Sequence, residues 1–409
     1  MNGLPPEALA GVRVLDLSRI LAGPTATQLL GDLGADVVKV EKPGEGDDTR
    51  RWGPPYVSGV DGRPTAESAY YLCANRNKRS IAIDLASPAG RELVLELVAR
   101  ADVLVENHKP GSLARYGLAY DQLRRRHPRL IYCSITGFGQ TGPYADRTGY
   151  DFLIQGMGGI MSVTGEPDGE PMKTGVGIAD VMTGMYAVAG ILAALHHRQA
   201  GGAGQYIDIS LMDTQIAWLA NAGTNYLLTR TVPGRLGNGH PNIVPYQVFD
   251  TSDAQMILAV GNDSQFARFC TVAGADELAT DSRFATNPAR VAHREELCAR
   301  IAQRLQARPR SHWLDALQAV GVPCGPVNDL AEVFADPHVV ARGAEVRMPC
   351  DWADAREITL LANPLRMSAT PPTYRRVPPR LNEHRDQVLD DWLRSGPSTT
   401  AHKGESCTS

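Results

Sequence analysis

Asp180 opens a Gly/Ala-rich run reaching about Gln199, preceded by the glycine-containing stretch Thr174 to Gly177 and ended by Gly201-Gly202. That composition predicts a helix, and an Asp at a helix start is first of all a cap. A second chemistry is open to it. Backbone N–H groups and the helix dipole favour an ionised carboxylate at that end, and small neighbours leave room for an acyl group. A carboxylate is a weak nucleophile, but it can attack a thioester to give an anhydride that a thiolate reopens.

Cations cluster at three places: Lys39, Lys42, Arg50 and Arg51; Arg76, Lys78 and Arg79; and Lys109 and Arg115. Each cluster follows a predicted strand, so the loops are placed to converge on a polyphosphate, which Arg and Lys bind through charge-assisted hydrogen bonds. Solvated surface charge is the alternative for any one cluster. Asn107 and the turn Gly137-Phe138-Gly139 sit at matching strand ends. Between the first strand and its helix, Arg19 to Pro24 occupies the usual nucleotide-phosphate position of an α/β fold but has no G-x-G-x-x-G, which counts against NAD or FAD. A simple turn remains the alternative there.

Gly237 and Gly239, within Arg235 to Pro241, allow backbone excursions suited to a lid. Asn238 and His240 lie in the same loop, and His240 is a candidate partner for a substrate carboxylate. An ordinary domain-joining loop is the other reading. His196-His197 close the long helix, where a C-terminal charge interaction suits them better than a metal. No metal is assigned. The seven cysteines, Cys407 among them, are never spaced as C-x-x-C, so neither a disulfide framework nor a zinc site is indicated, and a reducing, cytoplasmic setting is expected.

The elements that must position these residues alternate. Val12 to Leu17, Val37 to Glu41, Ile81 to Leu85, Asp102 to Glu106, Leu130 to Ser134 and Tyr206 to Leu211 read as strands; Thr25 to Leu33 and Ala89 to Arg100 read as helices, the latter opened by Ser87-Pro88. This predicts an α/β fold, a doubly wound Rossmann-like sheet with ligands at the strand C-termini. The expected division is 1–215 as the first part of a large domain, 216–325 as a smaller α+β domain carrying the glycine-containing loop, 326–394 as the return, and 395–409 as a disordered polar tail. In the smaller domain a strand is expected at Met256 to Val260 and helices near Ser264 to Ala273, Arg290 to Ala307 and Ser311 to Ala319. Gly137 to Gly177 reads as loop.

Lys+Arg 41 against Asp+Glu 45 gives a net charge of -4, so no global field gathers nucleic acid or an anionic membrane. The start shows neither a basic nor an apolar signal region. The apolar stretch Met185 to Leu195 is expected to be too short to cross a bilayer.

Taken in order, VRVLDLSRILAGP (12–24), GADVVKVEKPGEGDDTR (34–50), NRNKRSIAIDL (75–85), ADVLVENHKPG (101–111), SITGFGQTGPYADRTGYD (134–151), IADVMTGMY (178–186) and GQYIDISLMD (204–213) resemble the class III CoA-transferase (CaiB/BaiF) family. The likeness runs from about Gly11 to Arg394. It implies that Asp180 is the catalytic nucleophile. It carries coenzyme A contacts to Ala22, Lys42 (Arg in other members), Ile83, Asp84, Leu85, Asn107, His108, Lys109, Arg115, Thr136, Gly137, Phe138 and Gly139. Acyl-CoA enters as substrate, with no cofactor permanently bound. The fold implied is a homodimer of two subunits threaded like linked rings, each large domain built from both chain ends, with Gly237 to His240 as a mobile cover.

Within the family, RILAGP, GDDTRRWGPP, NRNKRSIA, YCSITGFGQTGP and IVPYQVF resemble the succinate–hydroxymethylglutarate (glutarate) branch, which implies succinyl-CoA as donor and a short dicarboxylate as acceptor. Leu21 replaces a Gln of formyl-CoA transferase, and Ala86 and Thr136 replace its Lys residues, which points away from formyl and oxalyl substrates. Two other readings share the fold: an α-methylacyl-CoA racemase and a non-catalytic acyl-CoA-binding protein. The racemases have His before the Asp of a G-H-D motif, whereas Gly149-Tyr150-Asp151 offers a tyrosine, a poor base near neutral pH.

Overall fold

The computed structural model describes residues 6–394. The tail 395–409, with Cys407, lies outside them. Among these residues two compact units form, one of Gly159–Thr174 with Leu219–Arg342, the other of the remainder, drawing on both chain ends. Residues 159–174 thus group with the second unit, although continuity along the chain assigns them to the first domain, and the return begins at Gly343.

In the larger unit β1 (Arg13–Asp16), β2 (Asp36–Glu41), β3 (Lys78–Ala82), β4 (Val103–Glu106), β5 (Ile131–Thr136) and β6 (Tyr206–Ser210) form one sheet in the order β3-β2-β1-β4-β5-β6. Every neighbouring pair is parallel. The order reverses between β1 and β4, so a crevice opens beyond their C-terminal ends.

Alternation along each strand feeds two cores. Val14, Val103 and Ile131 pack on one face with Ala26 and Leu30 of α1 (Ala22–Asp32) and with Ala187 and Ile191 further along. Leu15, Val38 and Leu104 pack on the other with Val94 and Leu97 of α2 (Pro88–Val98) and with Trp392. Ser87 caps α2 by accepting from the Gly90 N–H, with Pro88 in the first turn.

The segment expected to be loop up to Gly177 contains a helix, α3 (Asp151–Met157), and a 3₁₀ turn at Ile160–Val163. Then comes α4 (Ile178–Gln199), whose 22 residues make it long and apolar enough to cross a membrane by length and composition. This corrects the expectation drawn from Met185 to Leu195 alone. Its poverty in bulk has a packing cause, because a Cβ on Gly184 would lie 2.7 Å from the Ala22 carbonyl oxygen. Small residues let α4 lie against α1, which fixes the N-terminus of α4 beside the β1–α1 loop. The short α5 (Leu211–Ala217) follows β6.

The second unit holds α6 (Ala220–Thr229), then an antiparallel sheet in the order β9-β8-β7 from β7 (Tyr246–Asp250), β8 (Gln255–Ala259) and β9 (Cys324–Pro326). Phe249, Leu258, Phe266, Phe269, Leu297, Ile301 and Trp313 form its core with α7 (Asp263–Val272), α8 (Arg294–Leu305) and α9 (Arg310–Ala319). The helix expected over Arg290 to Ala307 is two, Asn287–Ala292 and α8, broken at His293, whose backbone leaves the helical region.

Candidate active site

Asp180 stands in the first turn of α4 and is partly buried. The capping role falls elsewhere. The carboxylate of Asp151, at the start of α3, accepts from the N–H of Ala179 at 2.8 Å and from that of Asp180 at 3.4 Å. Asp180 therefore does not use the orphan donors of its own helix. Burial and then the charge of Asp151 push its carboxyl up to about 7. This corrects the expectation that helix N–H groups and the dipole keep it readily ionised. Among the described residues no salt bridge reaches Asp180.

A cleft of about 180 Å³ lies in front of this carboxyl, walled by Arg19 to Ala22, Asn107 to Pro110, Ile135 to Gly137, Arg147 to Tyr150 and Leu211. Ala22, Asn107, His108, Lys109, Thr136 and Gly137 from the expected set meet Asp180 here. A second cleft, of about 400 Å³, is lined by Lys42, Ile83, Asp84, Leu85 and Ala86, and shares Arg19 and His108 with the first. The two adjoin at the sheet's switch point. Arg115, Phe138 and Gly139 line neither of them.

The loops are held by specific bonds. Asn107 pairs its whole side-chain amide with the peptide of Arg19, accepting from its N–H at 2.9 Å and donating to its carbonyl at 2.7 Å. It acts as a splint between the β4 and β1 loops. Thr136 accepts from the Gly139 N–H at 2.8 Å. Gly137 and Gly149 touch backbone to backbone, since a Cβ on Gly137 would sit 2.5 Å from the Gly149 Cα. Only glycine at both positions allows the turn after β5 to meet the strand leading to Asp151.

The cation clusters mostly resolve differently from a phosphate cradle. Lys39 pairs with Asp47 at 2.8 Å, Lys78 with Asp16 at 3.1 Å, Arg50 with Glu41 at 2.8 Å, Arg76 with Asp32 at 2.6 Å and Arg79 with Asp391 at 2.7 Å. These five cations are buried. Lys39 and Asp47 also grip the β1–α1 loop, through the Ser18 carbonyl at 2.8 Å and the Ile20 N–H at 3.2 Å. Lys42, 67% exposed and paired with the exposed Glu45 at 2.5 Å, Lys109 and Arg115 lie at the surface.

Residues to which the sequence reading gave no role lie at or beside the site. Asp151 is one; Arg147, stacked 3.8 Å from the Tyr144 ring, is another. Tyr70 is a third: burial and the charge of Asp180 push its phenol up to about 12. The G-Y-D spacing was the available signal for Asp151. In the second unit the loop Gly237 to His240 is tied down, with Gly237 N–H donating to Gly165 at 3.0 Å and His240 N–H to Tyr246 at 3.0 Å. Arg294 grips the His240 carbonyl at 2.8 Å. Among the described residues no group of three or more His, Cys, Asp or Glu is placed to hold a metal ion.

A parallel α/β sheet here offers an unpaired, partly buried carboxylate in a switch-point crevice beside exposed cations, an arrangement chemically able to support acyl transfer from an anionic carrier. Residues 9–385 match CoA-transferase family III, and the chain belongs to that family. It is 53% identical over 388 residues, 95% of this chain and 96% of the relative, to a succinate–glutarate CoA-transferase of Agrobacterium fabrum. It is 42% identical over 394 residues, 96% and 87% of the two chains, to a human succinyl-CoA:glutarate CoA-transferase. A crystal structure of a CaiB/BaiF family protein from Brucella suis superposes with a TM-score of 0.83 at 50% identity, covering 94% of this chain and 99% of that one.

Proposed function

We propose that this family III CoA-transferase moves coenzyme A from succinyl-CoA to a short dicarboxylate, glutarate or hydroxymethylglutarate, with Asp180 as the covalent nucleophile. One observation carries the assignment to Asp180: its carboxyl is free of cations and faces the cleft formed by the loops expected to hold the carrier. The substrates are those in the names of the relatives above.

The ionised Asp180 oxygen attacks the thioester carbon of succinyl-CoA, and the C–S bond breaks to leave CoA thiolate and a mixed anhydride. The thiolate attacks the aspartyl carbon, releasing succinate and leaving an aspartyl-CoA thioester. The acceptor carboxylate attacks this thioester, and the freed thiolate then attacks the acceptor's acyl carbon, regenerating Asp180. No net proton is consumed. A carboxyl poised near 7 makes a better nucleophile than a solvated one while still ionising at neutral pH.

Lys42, Ile83 to Leu85 and Arg115 contact the nucleotide part of the carrier in this reading, Asn107 to Lys109 and Thr136 to Gly139 its inner arm, and Gly237 to His240 cover the acyl group. No cofactor is permanently bound. The working form is a cytoplasmic homodimer of interlocked subunits. In support, α6 has no buried residue while Leu227 and Leu228 stand exposed, a face suited to a partner. A monomeric mass by light scattering would remove the dimer.

The test of the central claim is mass spectrometry of the protein with succinyl-CoA, with and without hydroxylamine. A mass increment mapping to Asp180 and absent from Asp180→Ala is expected. Absence of any adduct together with absence of CoA transfer to glutarate would overturn it.

A further inference from the structure

Glu106 ends β4 and is 5% exposed, yet among the described residues no cation neutralises it. Its two oxygens face two different loops. One accepts from the backbone N–H of His108 at 2.7 Å, inside the turn Asn107 to Lys109. The other accepts from the hydroxyl of Ser134, its direct neighbour across the β4–β5 pairing. Ser134 in turn accepts from the side-chain amide of Gln140 at 2.8 Å, and the Gln140 N–H donates to Asp208 of β6 at 3.1 Å. A single hydrogen-bonded chain therefore runs from the turn after β4, through Glu106 and Ser134, to the turn after β5 and on to β6.

We propose that Glu106 is a positioning residue for the acyl carrier: its carboxyl fastens the Asn107–Lys109 turn to the Thr136–Gln140 turn and so sets the gap into which the carrier's arm must fit. The inference rests on the reading of those two turns as carrier contacts. Geometry requires some such fastener. Parallel strands diverge with sheet twist beyond their last pairing, and the two turns meet no other side-chain bridge of this kind in the described chain. A buried carboxyl without a counter-charge is costly, and burial raises this one to about 7; a smaller hydroxyl could not span both partners.

The role is one of shape rather than charge, which separates two substitutions. In Glu106→Gln the amide carbonyl still accepts from His108 while the NH₂ donates to Ser134, so the bridge survives. In Glu106→Ala both links are lost. Steady-state kinetics with succinyl-CoA and glutarate, on variants shown by circular dichroism to be folded, are expected to give a KM for succinyl-CoA raised about tenfold in Glu106→Ala and within about threefold of wild type in Glu106→Gln. The KM for glutarate and kcat should stay within about threefold in both.

An unchanged KM for succinyl-CoA in folded Glu106→Ala, or a loss spread equally over both substrates and kcat, would overturn the proposal. An effect of Glu106→Gln as large as that of Glu106→Ala would overturn it too, by making charge the agent. If Glu106→Ala does not fold, Ser134→Ala decides, with a rise of about fivefold expected from losing one arm and a KM within about threefold of wild type counting against the idea. Lys42→Ala separates this from the parent reading: if it too leaves the KM for succinyl-CoA untouched, the carrier does not lie in these clefts at all.

Discussion

Asp16 at the floor of the β1–α1 loop and Asp180 at the head of α4 are the same residue type within one unit, and their surroundings push them in opposite directions. Burial works to raise both. At Asp16 that is outweighed by Lys78 and Lys39 and by the hydroxyls of Ser18 and Thr27, and its carboxyl sits below the ordinary value. Burial brings Lys78 down to about 8, where it is still protonated at neutral pH. At Asp180 no cation answers, and the neighbouring charge has the same sign. The lesson is one of division of labour: paired carboxylates hold the loop, and the carboxylate left unpaired is the one with reactivity to spend.

The largest expected effect comes from deleting the unpaired group. Asp180→Asn should lower CoA transfer by more than roughly 10³-fold, since among the described residues no other carboxylate lines the cleft. Stability should hold or rise, because a neutral amide relieves the repulsion from Asp151. Assayed side by side, a stable but inactive variant confirms the contrast, and an unstable one breaks it. Deleting a paired group should do the reverse. Lys78→Met takes the paired ammonium from the fully buried Asp16, leaving it Lys39 and the hydroxyls of Ser18 and Thr27, and is expected to cost roughly 3 kcal/mol of stability in a urea titration. Any activity lost should follow the unfolded fraction.

Much of this was legible in the sequence. The strand alternation gives the sheet, Ser87-Pro88 gives the start of α2, and Asp180 stands out at the head of a glycine-rich helix. What could not be read is which cations have partners. Lys78 and Asp16 are 62 residues apart and Arg76 and Asp32 are 44 apart, so only the β1-β2-β3 packing shows that they cancel one another rather than face a phosphate. The same holds for Asp151, whose N–H partners on α4 lie 28 and 29 residues ahead. Nothing local distinguishes a cap supplied by another helix from a cap supplied by the first residue of the helix itself.

That borrowed cap yields the finest test of the contrast. Asp151→Asn keeps the shape and an oxygen to accept from the Ala179 N–H, and removes the charge beside Asp180 together with the acceptor that the Gln155 side-chain amide uses at 2.7 Å. In the wild type the acid limb of kcat/KM for succinyl-CoA should lie near pH 7, because the proposed nucleophile Asp180 would have to ionise to attack and its carboxyl stands at about 7. Burial is the larger cause of that elevation and remains in the variant, so the limb should move to roughly pH 6 and no further toward the solvated value. On the plateau above pH 7 the rate should fall a fewfold, as a less basic carboxylate is a poorer nucleophile. Stability gives an independent reading of the same titration. A carboxyl raised in the folded state stabilises the protein below its unfolded value near 3.9, and that contribution is lost as pH rises through 7. In Asp151→Asn the loss should still begin near the unfolded value but be complete by roughly pH 6, and so be smaller. An acid limb that stays at pH 7 would mean that burial alone sets Asp180 apart from Asp16, with the neighbouring charge a bystander.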